Sequence, residues 1–271
     1  MYKMIAFDID GTLVQHLTNE LSDEINLMFK KLKEKGIIIT LATGRDFVSI
    51  ANIYKNSYVD YFIGANGSFI YDLKNNKYIF NSSISFTEFE EYNKNVLMKN
   101  IDEINNIVLS DSDKVFVFEN KENKKNWFWE AFRNKFNSYE SAKEKLDKNY
   151  FHLITLEHKL NSPIYLQTKK YFEKYNLSID VQAYWPKGFF VANKGITKAS
   201  SLKKLCNFLN IDIKEVIAFG DGENDIEMIK EVGLGIAMSN GTEELKKIAD
   251  DVTIDVEDYG TKFFLEKMGI I

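Results

Sequence analysis

The chain has 271 residues, 45% hydrophobic and 28% charged, a balance that supplies ample apolar area for a core and excludes a disordered or fibrous protein. Single cores stop growing at roughly 250 to 300 residues, so two domains are expected. The formal charge of −5, from 35 basic and 40 acidic residues, offers no basic excess for counterion release, and no nucleic acid partner is expected.

Lys3 to Phe7 is an apolar run ending at acidic residues and predicts a strand. Ser22 then opens a helical stretch with Ile25, Phe29 and Leu32 on one face, closing at Gly36. Ile37 to Ala42 predicts a second strand, Asp46 to Asn56 a helix and Tyr61 to Gly64 a third strand. This alternation implies a parallel sheet with crossover helices. Ser68 to Leu73 and Tyr78 to Phe80 flank Asn75 and Asn76 as a hairpin. After that the texture changes. Helical patterns at Phe86 to Lys99 and Asn123 to Asn137 interleave with strands around Ile104 to Leu109, Val115 to Phe118 and Ile164 to Gln167. Ile196 to Leu209 predicts a helix and Val216 to Phe219 a buried strand, with alternation resuming to the end. Residues 1–82 and 189–271 are therefore expected to form one doubly wound, Rossmann-like α/β core, with 83–188 inserted as an α+β cap.

Four clusters fall at predicted strand ends or a helix start, where open α/β sheets place their ligand crevice. DIDGTL carries Asp8 and Asp10, whose alternation can point both carboxylates the same way. LATGR offers the hydroxyl of Thr43 and the amide of Gly44. Lys198 stands at a helix start, and GDGENDIEM carries Asp221, Asn224 and Asp225. Four carboxylates crowded together repel one another unless a cation joins them. Hard oxygen ligands favour magnesium, which usually shares its shell with substrate phosphate. A metal beside a hydroxyl, an amide and a lysine describes a site for phosphoryl chemistry.

Other readings of these motifs fail. Asp8 and Asp10 cannot begin a helix-loop-helix calcium loop, since Gly11 is too early and Asn19 is not acidic. In GDGEND the aspartates would repel a pyrophosphate, and the third glycine of a dinucleotide loop is missing.

These motifs, DIDGTL, ATGR, the NG of GANGSFIYD, Lys198 and GDGENDIEM, in this order, resemble the haloacid dehalogenase-like (HAD) superfamily, and within it the Cof-type sugar-phosphate phosphatases with a large cap. The resemblance covers about residues 1–82 and 193–271. It implies a magnesium-dependent phosphoric monoester hydrolase acting on small phosphorylated metabolites, sugar phosphates or a phosphorylated cofactor. Asp8 would be the nucleophile that becomes an aspartyl phosphate, and Asp10 the general acid and base. Asp8, the backbone carbonyl of Asp10 and Asp221 would hold magnesium, with Asp225 supporting it through water. Thr43 and Gly44 would bind phosphoryl oxygens, Lys198 would neutralise charge, and Asn224 would steady the site. A phosphomutase or phosphotransferase using the same phosphoaspartate is the alternative. Ala199 after the lysine, and Ser239, Asn240 and Gly241 in the late loop, depart from the family pattern.

Cys206 is the single cysteine and falls with Leu202, Leu205 and Leu209 at helical spacing, which predicts a core thiol. No window approaches the run of about 18 apolar residues that spans a membrane, and the first residues lack a secretory pattern. A cytoplasmic monomer or weak homo-oligomer without membrane contact is expected. His16, His152 and His158 lack metal-ligand spacing and read as surface or satisfied histidines. Phe128, Phe132 and Phe136 form a stripe expected to pack a cap helix. Tyr184 and Trp185 lie just before the return to the core, where one of them could face the site.

Overall fold

A computed structural model describes residues 2–15, 18, 20–111, 114–120, 136–138 and 151–271. The chain forms two compact units: Met1–Arg45, Ile50–Asn81 and Thr197–Ile271 make the first, and Asp46–Ser49 and Ser82–Ile196 the second.

In chain order, the first unit begins with β1 (Met4–Phe7), α1 (Asp23–Glu34), β2 (Ile38–Ala42), β3 (Tyr61–Gly64), β4 (Phe69–Asp72) and β5 (Lys77–Asn81). The second contributes α2 (Phe86–Tyr92), β6 (Ile104–Ser110), β7 (Val115–Asn120), β8 (Phe136–Ser138), β9 (Leu153–His158), α3 (Ile164–Tyr175), β10 (Ile179–Trp185) and β11 (Gly188–Asn193). The chain then re-enters the first unit through α4 (Lys198–Leu209), β12 (Val216–Gly220), α5 (Ile226–Glu231), β13 (Leu234–Met238), α6 (Glu243–Ile248), β14 (Asp251–Thr253) and α7 (Gly260–Lys267).

The first unit is built on an eight-stranded sheet in the order β14-β13-β12-β1-β2-β3-β4-β5. The strands from β14 to β3 run parallel, and β4 and β5 add an antiparallel edge. All four residues of β1 are buried, as a strand covered by helices on both faces requires. Met4, Ala6 and Ala218 face α4 and α5, sharing a cluster with Leu202, Leu205 and Met228. On the other face Phe7 packs on Phe29 of α1, and Phe219 on Phe264 of α7. Cys206 is buried in the first of these clusters. The helix opened by Ser22 forms as expected: the Ser22 side chain caps the backbone N–H of Ile25, and Gly36 lies at φ +74.

The second unit has a six-stranded sheet in the order β10-β11-β9-β6-β7-β8. One face carries α2 and α3 over a core that includes Phe89, Tyr92, Ile107, Ile154, Leu156 and Phe172.

Several sequence-based expectations are corrected. Gly188–Asn193, expected largely in the core from residue 189, pairs antiparallel with β9 and β10 in the second sheet. Asp46 to Asn56 is not one continuous helix, and only Ile53–Lys55 forms a 3-10 turn. The Asp46 carboxylate accepts from the backbone N–H groups of Val48 and Ser49, a local turn that competes with helix, and Ala51 is left-handed at φ 55. Ile164 to Gln167 opens helix α3 instead of forming a strand, because Ile164, Thr168 and Phe172 recur at helical spacing and bury one face. The helix expected over 123–137 falls largely outside the described residues, together with Phe128 and Phe132, whereas Phe136 lies on β8, which pairs parallel with β7. His16 also lies outside the described residues. His152 and His158 are both buried, and His158 Nδ1 meets the carbonyl of Lys159 at 2.8 Å.

Candidate active site

Strand register sets the positions. Phe7 is level with Leu41 on one side and Phe219 on the other, so Asp8, Thr43 and Asp221 leave three adjacent strands at their carboxyl ends. Asp8 is buried, and its backbone N–H donates to the Phe219 carbonyl at 3.0 Å.

Lys198 is the first residue of α4, whose start is fixed by a reciprocal cap between Thr197 and Ser200. Its ammonium is buried and donates to Asp8 Oδ1 at 2.6 Å and to Asp225 Oδ1 at 2.7 Å. Asp225 is fully buried, and its second oxygen accepts from the backbone N–H groups of Asp221 and Gly222 at 3.1 and 3.0 Å. Gly220 is required here, since a Cβ would lie 2.5 Å from the Asp225 carboxyl carbon. Thr12 Oγ1 donates to Asp221 Oδ1 at 3.0 Å. Gly11, at φ +78, lets the turn after β1 close on Asp221, because a Cβ there would lie 2.3 Å from Asp221 Oδ2. Asn240, one of the late-loop departures, donates to the Gly11 carbonyl at 2.8 Å and so braces the same turn.

Burial drives the Asp8 carboxyl well above the usual carboxylate range; Asp225 and Asp221 push the same way, and Lys198 opposes them. For Lys198 burial alone would favour the neutral amine, but the charges and hydrogen bonds of Asp225 and Asp8 outweigh it and hold the ammonium protonated. Asp8, Asp221 and Asp225 each bring a carboxylate oxygen within 4.8 Å of the others. An all-oxygen set of this kind fits a hard divalent cation, whose charge would favour the ionised form of Asp8.

The remaining expected residues sit around this cluster with partners of their own. Asp10 turns its carboxylate to Arg45, which donates through Nε to Oδ2 at 2.7 Å and through Nη2 to Oδ1 at 2.6 Å. The two carboxylates of DIDGTL thus have different partners. Buried Thr43 accepts at Oγ1 from the Arg45 backbone N–H at 3.2 Å, and its carbonyl accepts from the Asn66 N–H at 3.0 Å. Gly44 lies between Thr43 and Arg45 in the same turn. Asn224 Nδ2 donates to Asn66 Oδ1 at 2.8 Å.

Three participants had no assigned role in the sequence reading. Arg45 completes ATGR, and its arginine was the available signal. Asn66 begins the NG pair, at φ 53 in the left-handed region that asparagine tolerates. Thr12 had no signal beyond its place in DIDGTL.

The haloacid dehalogenase-like hydrolase family model matches residues 5–265. The chain belongs to that family. The family match and the aspartate cluster make it a HAD-type phosphatase, with a HAD core and an inserted second unit. A Bacillus subtilis 5-amino-6-(5-phospho-D-ribitylamino)uracil phosphatase, YcsE, is 29% identical over 94% of this chain and 92% of its own. The phosphatase BT1666 from Bacteroides thetaiotaomicron superposes with a TM-score of 0.81 at 23% identity, covering 100% of this chain and 96% of that one. The HAD subclass IIB sugar phosphatase BT4131 superposes with a TM-score of 0.78 at 24% identity, covering 99% of this chain and 100% of that one. Among the described residues no helix is long and apolar enough to cross a membrane.

Proposed function

We propose that this HAD phosphatase is of the Cof type and hydrolyses phosphate monoesters of small cytoplasmic metabolites, sugar phosphates or a phosphorylated cofactor, through a phosphoaspartate on Asp8. The observation that carries the reading is the Asp8–Lys198–Asp225 chain, a buried carboxylate held by a shared ammonium at 2.6 Å beside a second acidic strand end. YcsE as a 5-amino-6-(5-phospho-D-ribitylamino)uracil phosphatase and BT4131 as a sugar phosphatase support the substrate class.

Asp8 attacks phosphorus through a carboxylate oxygen; the ester P–O bond breaks, and Asp10 gives its proton to the departing alkoxide. Asp10, now ionised, takes a proton from water as that water attacks the phosphoaspartate, releasing inorganic phosphate and restoring Asp8. Lys198 holds Asp8 in one orientation and offsets charge on the phosphoryl group. Thr43 and Gly44 supply a hydroxyl and an amide for phosphoryl oxygens, and Asn224, tied to Asn66, fixes the turn that carries Asp225. Asp8, the Asp10 carbonyl and Asp221 would hold magnesium, with Asp225 behind them because its oxygens already serve Lys198 and two backbone N–H groups. Bound there, magnesium would neutralise charge on the transferring phosphoryl group.

Incubation with a panel of metabolite phosphates in magnesium, followed by acid quench and mass measurement of the Asp8 peptide, tests the reading. Inorganic phosphate release with a transient phosphoryl adduct on Asp8 is expected. Release with no adduct would defeat the covalent route, and phosphate moved to another hydroxyl without release would identify a mutase.

A further inference from the structure

The loop between β13 and α6 touches both segments that carry the expected magnesium ligands. Thr242 donates its backbone N–H to the Asp221 carbonyl at 2.9 Å, and Asn240 donates through Nδ2 to the Gly11 carbonyl at 2.8 Å. Gly241, between them, is packed close on the same strand end, since a Cβ there would lie 2.9 Å from the Asp221 carbonyl oxygen. Three consecutive residues thus hold DIDGTL and GDGENDIEM through their backbones.

DIDGTL needs such a hold. A side chain at Gly11 would meet the Asp221 carboxylate and would be strained at φ +78, yet glycine is the residue whose backbone is least confined. Left alone, this turn would let the Asp10 carbonyl swing relative to Asp221. The peptide before Gly11 is held by its N–H, which donates to the Val14 carbonyl at 2.8 Å; in a planar trans peptide that turns the Asp10 carbonyl the opposite way. The peptide after Gly11 is held by Asn240. Asn240 is oriented in turn, because its Oδ1 accepts from the Val256 N–H at 3.1 Å. A backbone donor on one side and a backbone carbonyl on the other permit one orientation of the amide. A carboxylate could not replace it, having no donor for the Gly11 carbonyl.

We propose that Asn240 is a positioning residue for magnesium: with Thr242 it sets the spacing between the Asp10 carbonyl and Asp221, and the turn at Val256–Asp258 holds it in that pose. The inference rests on the magnesium reading above. Magnesium demands near-ideal octahedral geometry, whereas calcium accepts longer and more flexible coordination. The brace therefore acts on the choice of metal as well as on affinity.

The test reads metal binding without turnover. Melting temperatures of the wild type, Asn240→Ala and Val256→Pro are followed against added magnesium and, separately, calcium, and give a Kd for each ion. Val256→Pro removes the N–H that orients Asn240 and is compatible with the local backbone: Val256 opens its short helix, and Asp255, at φ −62 and ψ 155, has the extended conformation that precedes proline. The magnesium Kd should rise roughly tenfold in Asn240→Ala and in the same direction in Val256→Pro, with the calcium Kd changing less. Hydrogen exchange over residues 9–14 in chelator should be faster in both variants. A wild type that responds to magnesium while both variants match its Kd overturns the proposal alone. Equal losses of magnesium and calcium affinity also overturn it, since general destabilisation would produce them. A wild type indifferent to both ions defeats the magnesium reading itself, and this role with it.

Discussion

Arg45 grips the carboxylate of Asp10 with two nitrogens, and the same Nη2 also donates to the Thr18 carbonyl at 3.1 Å. Arg45 is 8% exposed, so its guanidinium is a fixed fork that sets the plane of the Asp10 carboxylate. Lysine cannot reproduce that geometry. Arg45→Lys should lower kcat/KM by roughly ten- to a hundredfold through misplacement of Asp10. It should also cost about 1–3 kcal/mol in urea unfolding through the lost hydrogen bonds. A variant equal to wild type in both measurements would make the pair an idle contact.

Asp8→Asn should abolish turnover, because an amide is not a nucleophile, while the fold persists. In chelator its melting temperature should exceed that of the wild type. Burial and the neighbouring Asp225 and Asp221 disfavour the ionised Asp8 carboxyl in the folded state, so its stability contribution falls as pH rises through the carboxylate range. Asparagine removes that penalty. Magnesium should reverse the order, since ligand at 100 times its Kd adds about 2.7 kcal/mol to the protein that binds it. Melting curves of both proteins in chelator and in magnesium check this, and a wild type indifferent to magnesium would remove the metal from the site.

The parallel core was legible because strands buried on both faces read as short apolar runs, and DIDGTL, ATGR and GDGENDIEM each follow one of them. Met4–Phe7 and Val216–Gly220 are of this kind. Partner choice was not legible. Nothing local tells that Asp8 turns to Lys198, 190 positions away, while Asp10 turns to Arg45. In the second unit β6 and β7 match expected strands, whereas β9, β10 and β11 were not anticipated. β10 breaks its alternation between Val181 and Ala183 and so gives no clean period of two.

The Asn66–Gly67 turn joins three motif segments. Asn66 binds the Thr43 carbonyl and Asn224, and the Gly67 carbonyl accepts from Ser201 Oγ of α4 at 2.5 Å. Gly67 lies at φ +101, and a Cβ there would stand 2.2 Å from the Thr197 carbonyl oxygen, next to Lys198. Gly67→Ala therefore has to displace the start of α4, and should cost about 3 kcal/mol or more from backbone strain and overpacking. Asn66→Gly keeps the left-handed backbone and removes only the side chain. It should stay folded and lose activity through Asn224, whereas Asn66→Ala adds roughly 1 kcal/mol of strain. Urea unfolding and kinetics on the three variants separate backbone from side chain. Equal stability of Gly67→Ala and wild type would refute the close approach.

His152 is 2% exposed, and burial lowers its pKa to about 4, with Asp46 pulling weakly the other way. In the unfolded chain it returns to about 6.5. Between those values the unfolded state binds a proton that the folded state refuses, so stability is full above about pH 6.5 and falls as pH drops toward 4. The linkage amounts to about 2 kcal/mol at pH 5. Carboxylates elsewhere also titrate in this range, so the informative quantity is the difference from His152→Phe, which keeps a ring and cannot ionise. Between pH 7 and pH 5 the wild type should lose about 2 kcal/mol more than the variant in urea unfolding. Parallel losses in the two proteins would show that His152 accepts its proton without unfolding, and that its burial is not what sets its charge.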